Sequence, residues 1–143
     1  MTQKAIKNLN RIMVAIDGSE TSQNAASIAI HIAKSLKLDI HGLYVVDEEL
    51  VMNDYANYQA ELGNVGKPVS RTDRAVLFEE RGYNVLQRLQ SRCQESGVPV
   101  TIQVDLGGVP EIILQQAVGA CLLVLGRRGN GLRKSKPSFL RVI

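Results

Sequence analysis

The chain reads CLLVLGRRGNG from Cys121 to Gly131, an apolar run that stops abruptly at three closely spaced glycines. A short and wholly apolar segment of this kind is typical of a buried parallel strand that opens into a tight loop. Glycine allows backbone N–H groups to approach an anion closely, because no Cβ blocks the way. We therefore expect a central strand over 121–125 and an anion-binding loop directly after it.

Three further segments have the composition of strands, and segments with helical spacing of apolar residues separate them. Strands are predicted at 12–16, 40–46, 98–105 and 121–125, and helical spacing covers 25–36, 74–95 and 108–117. The first helix has Ser19 or Thr21 available as its N-cap. Strands that alternate with helices form βαβ units with a parallel sheet and right-handed crossovers.

The order of the strands follows from their hydrophobic patterns. Segments 12–16 and 121–125 are uniformly apolar and belong in the centre, whereas 98–105 alternates and belongs at an edge. The order 3-2-1-4 meets both conditions, in a three-layer, Rossmann-like α/β fold. It also brings together the ends of strands 1 and 4, where ligands bind in open α/β sheets. Asp17 and Gly126 are then predicted to face each other across one pocket.

Positive charge is concentrated after the last predicted strand. Residues 126–143 hold six basic side chains and no acidic one, whereas the rest of the chain has an acidic excess. This distribution favours a small phosphate-bearing ligand. The net charge of +3 and the aromatic content of 4% argue against a nucleic-acid partner.

Length and composition predict a single domain over residues 1–143. No apolar stretch is long enough to cross a bilayer and no signal-peptide core is visible, so we expect a cytoplasmic protein without a membrane partner. Cys93 and Cys121 are too few for a disulfide framework, have no metal-ligand spacing, and are expected to be reduced, buried thiols. His31 and His41 each lack a second ligand at metal spacing, so no metal site is predicted from them.

Four motifs together resemble the universal stress protein family over about residues 10–131. They are VAIDGSE at 14–20, LYVVD at 43–47, the Gly108-x-Pro110 step before a helix, and LVLGRRG at 123–129. The resemblance implies a parallel sheet of the adenine nucleotide alpha hydrolase type. It also implies a homodimer or tandem-domain partner, a role in the stress response, and, in one branch of the family, ATP bound by a loop of the form G-x2-G-x9-G-(S/T).

The resemblance also implies a nucleotide site for ATP or AMP. Carried over to this sequence, the nucleotide-binding residues are Ala15, Asp17, Val45, Leu125, Gly126, Arg128 and Gly129. The first three line the adenosine side, and the other four begin the phosphate loop. Asp17 can accept hydrogen bonds from the sugar or help to hold a hydrated Mg²⁺. An alternative role for Asp17, as a cap of the following helix, stays open at this stage.

The sequence departs from the family pattern near its end. Phe139 and Leu140 stand where the loop motif has Gly and then Ser or Thr. The family's usual fifth strand is also not recognisable before Ile143, so we expect it to be absent. Truncation, an internal loss and the front part of a longer tandem protein all remain open as explanations.

The sequence therefore predicts a universal-stress-type module that binds an adenine nucleotide and regulates through binding. No catalytic residue is assigned, because no positioned base accompanies Ser19 and no Walker-type Gly-Lys-Ser/Thr is present; at most slow, incidental ATP hydrolysis is expected. The alternative is a module of the same family that works through protein contacts without nucleotide. A relation to ATP-pyrophosphatases is disfavoured, because DGSE at 17–20 is not their phosphate loop.

Overall fold

The structure, a computed structural model, describes residues 10–49, 51, 71–126 and 141–142. The strands are β1 Arg11–Ala15, β2 Asp39–Asp47, β3 Val100–Gly107, β4 Leu122–Leu125 and β5 Arg141–Val142. The helices are α1 Glu20–Leu36, α2 Arg71–Glu95 and α3 Val109–Ala117. Each of the four predicted strands and three predicted helices is thus present, with boundaries shifted by a few residues.

The strands form one sheet in the order β3-β2-β1-β4-β5, and the first four are mutually parallel. The predicted order 3-2-1-4 and the edge position of β3 are confirmed. The parallel part of the sheet has four strands, as expected, and the two-residue β5 adds a short antiparallel pairing to β4, with Arg141 opposite Leu125. Two residues are too few to produce a recognisable hydrophobic pattern, although their backbone groups are enough to pair with a sheet edge.

Helices α1 and α2 cover one face of the sheet, which we call the large face. Its core joins buried side chains of β1 and β2, among them Ile12, Val14 and Ile40, to Ala25 and Ala29 of α1. The buried apolar positions of α2 contribute to the same core. They are Val85, Leu86, Leu89 and Cys93. These positions recur at three- and four-residue spacing, which places them along one side of the helix.

The opposite face, which we call the small face, is covered by α3. Its fully buried cluster contains only Met13, Leu43 and Leu123 among the described residues. No residue of the nine-residue α3 is fully buried, and Leu114 in this helix is 65% exposed. Within the ranges that the structure describes, the small face is therefore lightly packed compared with the large one.

Helix α1 begins with a side-chain cap that orders the end of β1. Ser19 is the N-cap, and its hydroxyl oxygen accepts a hydrogen bond from the backbone N–H of Ser22 at 3.2 Å. This satisfies one of the backbone donors that the first turn of a helix leaves unpaired. The helix ends at Leu36, and its C-cap Lys37 adopts a left-handed conformation with φ 57°.

The two cysteines differ in environment, which corrects part of the expectation for them. Cys93 is fully buried on α2, and burial raises the pKa of its thiol to about 11. Cys121 is exposed instead, and its thiol donates to the backbone carbonyl of Arg11 at 3.2 Å. Cys121 precedes the first residue of β4, so the apolar run begins one residue before the buried strand does.

No helix in the described ranges combines the length and the hydropathy of a membrane span.

Candidate functional site

The carboxyl ends of β1 and β4 are adjacent, as the strand order requires. Ala15 is the register partner of Leu125 across the parallel ladder. Asp17 follows β1 and Gly126 follows β4 directly, so both lie at the carboxyl edge of the sheet. Helices α1 and α2 lie on the large face and α3 on the small face. The winding direction therefore reverses between β1 and β4, the place where open α/β sheets bind ligands.

Three of the predicted residues form an apolar floor on the small face at this edge. Ala15, Val45 and Leu125 are all half-buried, and the last two pack against the small-face core. Ala15 is also the register partner of Leu43 on β2. Val45 lies two residues after Leu43 and therefore on the same face of the sheet. Side chains that are apolar and partly accessible suit the flat surface of a purine base.

Asp17 occupies the turn between β1 and α1. One carboxylate oxygen, Oδ1, accepts a hydrogen bond from the backbone N–H of Ser19 at 2.9 Å, and the Asp17 N–H donates to Ser22 Oγ at 3.4 Å. Ser19, not Asp17, is the N-cap of α1. Asp17 is therefore not the cap of the helix. Its carboxylate stabilises the turn that leads into the cap.

Gly126 lies against the first turn of α1 so closely that no side chain fits there. A Cβ at this position would lie 2.9 Å from the backbone nitrogen of Ser22 and 3.0 Å from the carbonyl carbon of Thr21. Both atoms belong to backbone and cannot move aside independently. The glycine therefore has a packing reason in addition to its predicted role in the loop, and it brings the end of β4 to the N-terminus of α1.

Two helix N-termini point to this edge. Helix α1 starts after β1, and α3 starts after β3 at Gly108, which provides no side-chain cap. Unpaired N–H groups and the helix dipole make such ends favourable for anions. Glu20 and Glu111 lie in the two first turns and reduce that preference.

The remaining predicted site residues, Arg128 and Gly129, lie outside the described residues, as do Phe139 and Leu140. The structure therefore brings together five of the seven predicted residues. Within the described ranges, no group of three or more His, Cys, Asp or Glu side chains is arranged to hold a metal ion.

A polar network that runs along β3, from Thr101 to Asp105 opposite Val45, was not anticipated from the sequence. His41 is buried on β2; its Nδ1 contacts Thr101 Oγ1, and its Nε2 lies 2.8 Å from Gln103 Oε1. The Gln103 amide donates to Asp105 at 2.8 Å. Burial is the main cause that lowers the pKa of His41. The alternating polar residues of β3 were the available signal, but only the register shows that His41 is opposite Thr101.

Comparisons with known proteins show the family of this chain. The model of the universal stress protein family matches residues 8–136. The chain belongs to that family. A universal stress protein of Bacillus subtilis, YxiE, is 30% identical over 87% of this chain and 84% of its own length. The universal stress protein MJ0531 of Methanocaldococcus jannaschii is 31% identical over 84% of this chain, which spans 65% of the length of that relative.

A solved structure has the same fold as this universal stress protein. The crystal structure of a universal stress family protein from Burkholderia pseudomallei superimposes with a TM-score of 0.63 at 26% identity. The match covers 82% of this chain and 81% of that one. This chain therefore has the Rossmann-like fold of a solved member of the family.

Proposed function

We propose that this chain is a universal-stress-type domain that binds an adenine nucleotide, ATP or AMP, at the carboxyl ends of β1 and β4. The observation that carries the proposal is the direct pairing of these two strands, with Ala15 opposite Leu125 and with Asp17 and Gly126 just beyond them. Ligand sites in open parallel sheets form where neighbouring strands lead to helices on opposite faces.

Each residue has a role that follows from its chemistry. The half-buried Ala15, Val45 and Leu125 would contact the base. The Asp17 carboxylate would accept from sugar hydroxyls or hold a hydrated Mg²⁺. Gly126, with Arg128 and Gly129 after it, would provide backbone N–H groups and one guanidinium for the phosphates.

The proposed mechanism is binding without turnover. Nucleotide would order the glycine loop and shift an equilibrium between states that a partner or a second copy recognises. We further propose that residues 1–143 act as one domain, that the protein is cytoplasmic and works as a homodimer or beside a tandem domain, and that neither nucleic acid nor membrane is its partner. Any ATP hydrolysis would be slow and incidental.

Thermal denaturation of the purified chain with ATP, AMP or cyclic AMP, each with and without Mg²⁺, tests the proposal. A ligand at a hundredfold its dissociation constant stabilises the folded state by about 2.7 kcal/mol. Asp17→Asn is the most informative variant, because the amide oxygen can still accept from the Ser19 N–H and keep the turn. We expect this variant to keep its unliganded Tm and to lose most of the nucleotide-induced shift.

Asp39→Asn is the matched control. It removes the same charge at the start of β2, at the opposite edge of the sheet. An equal loss of the shift in both variants would indicate a general charge effect and would contradict the assigned site.

A second candidate function is a protein-interaction module that binds no nucleotide. Phe139 and Leu140 favour it, because they replace the Gly and Ser or Thr of the family loop motif. The absence of any shift with all three nucleotides at millimolar concentration would select this function over the first.

A further inference from the structure

A second opening lies at the amino-terminal edge of the sheet, far from the proposed nucleotide site. It is a cavity of about 230 Å³ between the starts of β1, β2 and β3. Its lining includes Asn10, Arg11, Asp39 and Thr101, together with Pro99 and Val100. Because the three strands are parallel, this edge is opposite to the one that carries Asp17 and Gly126.

Two opposite charges face this cavity without pairing with each other. Arg11 and Asp39 are register partners on β1 and β2, so their Cα atoms lie about 4.8 Å apart. Within the described part of the chain, no ion pair joins them, and the Nε of Arg11 is buried without a hydrogen-bond partner. Because Nε is out of reach of a ligand in the cavity, the terminal guanidinium nitrogens of Arg11 are the donors that a ligand would contact.

Thr101 offers an acceptor at the same opening, and its orientation follows from the network behind it. The Gln103 amide nitrogen donates to the Asp105 carboxylate, so the amide oxygen faces His41 and accepts from Nε2–H. In the neutral imidazole, Nδ1 then has no proton and accepts the hydroxyl proton of Thr101. The lone pairs of Thr101 Oγ1 are left to accept from a cavity ligand.

The cavity thus has donors and acceptors on separate residues. Arg11 and the Asn10 amide can donate to a carboxylate, whereas Asp39 and Thr101 can accept from an ammonium. We propose that this cavity binds a small α-amino acid, with its carboxylate on Arg11 and its ammonium between Asp39 and Thr101. In an α-amino acid the two charged groups share one carbon, which matches two side chains on neighbouring strands.

Size and lining restrict the ligand further. Pockets for drug-sized ligands have volumes of about 300 Å³ or more, so this cavity suits a compact molecule and excludes a nucleotide. Pro99 and Val100 provide the apolar part of the lining, which favours a small aliphatic side chain such as that of alanine or valine. Asp39 would repel a simple anion, and Arg11 would repel a simple amine. A zwitterion should therefore bind more tightly than a carboxylate or an amine alone.

Titration of the ¹⁵N-labelled chain with L-alanine, acetate and ethylamine tests the proposal through the backbone amides of residues 39–41 and 100–101. We expect L-alanine to shift these amides saturably and each half-molecule to shift them at least about tenfold more weakly. Acetate or ethylamine acting as strongly as alanine would overturn the zwitterion assignment, and no response to alanine at millimolar concentration would overturn the site.

Variants separate recognition from folding. Arg11→Gln and the exposed Asp39→Asn should each weaken alanine binding by about tenfold or more, and Arg88→Gln, an exposed arginine on α2, should not change it. If Arg11→Gln does not fold, Asp39→Asn alone decides the outcome. Unchanged affinity in the folded variants would contradict the proposal. Asp17→Asn should leave alanine binding intact, so failure here is distinguishable from failure of the nucleotide proposal.

Discussion

The two faces of the sheet are covered very differently, and the difference indicates how stability and binding are divided. The large face is closed by α1 and α2, and fully buried residues extend along both helices. In the described part of the chain, the small face is covered by the short α3, in which no residue is buried, over three buried apolar side chains. Because hydrophobic stabilisation grows with buried apolar area, the large face provides most of the stabilisation that these described residues contribute.

The lightly covered face carries the candidate binding residues at both of its edges. Ala15, Val45 and Leu125 lie at the carboxyl edge, and alternation places Arg11 and His41 on the same face at the amino edge. Side chains under a complete layer of helices could not reach a ligand. Among the described residues of this face, Ala15, Val45 and Leu125 at one edge and Arg11 at the other are only half-buried.

Truncating one core side chain on each face tests this division, and it has the largest effect that we expect. Leu86 is fully buried in the large core, whereas Ile113 is only half-buried against the small one. Leu86→Ala should lower the free energy of unfolding by about 3 kcal/mol, and Ile113→Ala by about 1 kcal/mol. Urea denaturation measures both values. Equal losses would show that the two faces contribute alike.

The reaction rates of the two cysteine thiols test whether the large core stays closed in the native protein. The thiolate is the reactive form, and burial raises the pKa of Cys93 to about 11, whereas Cys121 is exposed. In the native protein, Cys121 should react with a disulfide reagent at least about a hundredfold faster than Cys93. Stopped-flow labelling of Cys121→Ser and Cys93→Ser separates the two rates. Rapid labelling of Cys93 under native conditions would mean that the large core opens readily.

Gly126 tests the contact between β4 and the start of α1. Gly126→Ala places a methyl group against backbone atoms of Thr21 and Ser22, and should lower the free energy of unfolding by about 2 kcal/mol. The control is Gly97→Asn, where nothing lies within 4 Å of an added Cβ and Asn tolerates the positive φ of 73°. That control should stay within about 0.5 kcal/mol of the parent. No loss in Gly126→Ala would exclude the close approach.

The smallest effect concerns His41. The pKa of His41 lies below the ordinary 6.5, mainly because the side chain is buried. The hydrogen bond to Gln103 raises this pKa, the charge of Arg11 lowers it, and the charge of Asp105 raises it. Well above pH 6.5 the imidazole is neutral in both the folded and the unfolded state. Below that value the unfolded chain binds a proton that the folded chain does not, so the free energy of unfolding falls as the pH falls.

Tm values measured at pH 7.5 and 5.5 for the parent and His41→Gln check this prediction. The drop on acidification should be smaller in His41→Gln, and His31→Gln, which alters an exposed histidine on α1, should behave as the parent does. An identical drop in all three proteins would show that protonation of His41 does not contribute.

The features that could be predicted from the sequence are those that leave a local pattern. The apolar runs around Ile12 and Leu123 give central strands, the alternation after Val98 gives an edge strand, and Ser19 is a strong helix cap. These patterns depend on residues close together in the chain, and they were enough to predict that the ends of β1 and β4 are adjacent.

The features that were missed depend on register or on very short elements. The two-residue β5 leaves no periodic signal, and the exposure of Cys121 depends on where β4 begins. His41 finds Thr101 only because β2 and β3 pair in one particular register, and the same holds for Arg11 and Asp39. Local patterns do not determine register, so the amino-edge cavity could not be predicted.

The most direct test of the account is the map of backbone amide shifts on titration of the ¹⁵N-labelled chain with ATP and Mg²⁺. We expect saturable shifts concentrated at residues 15–20 and 124–126, with residues 100–101 unchanged. Shifts that cluster at the amino edge, or that are absent from the ends of β1 and β4 at saturating nucleotide, would contradict it.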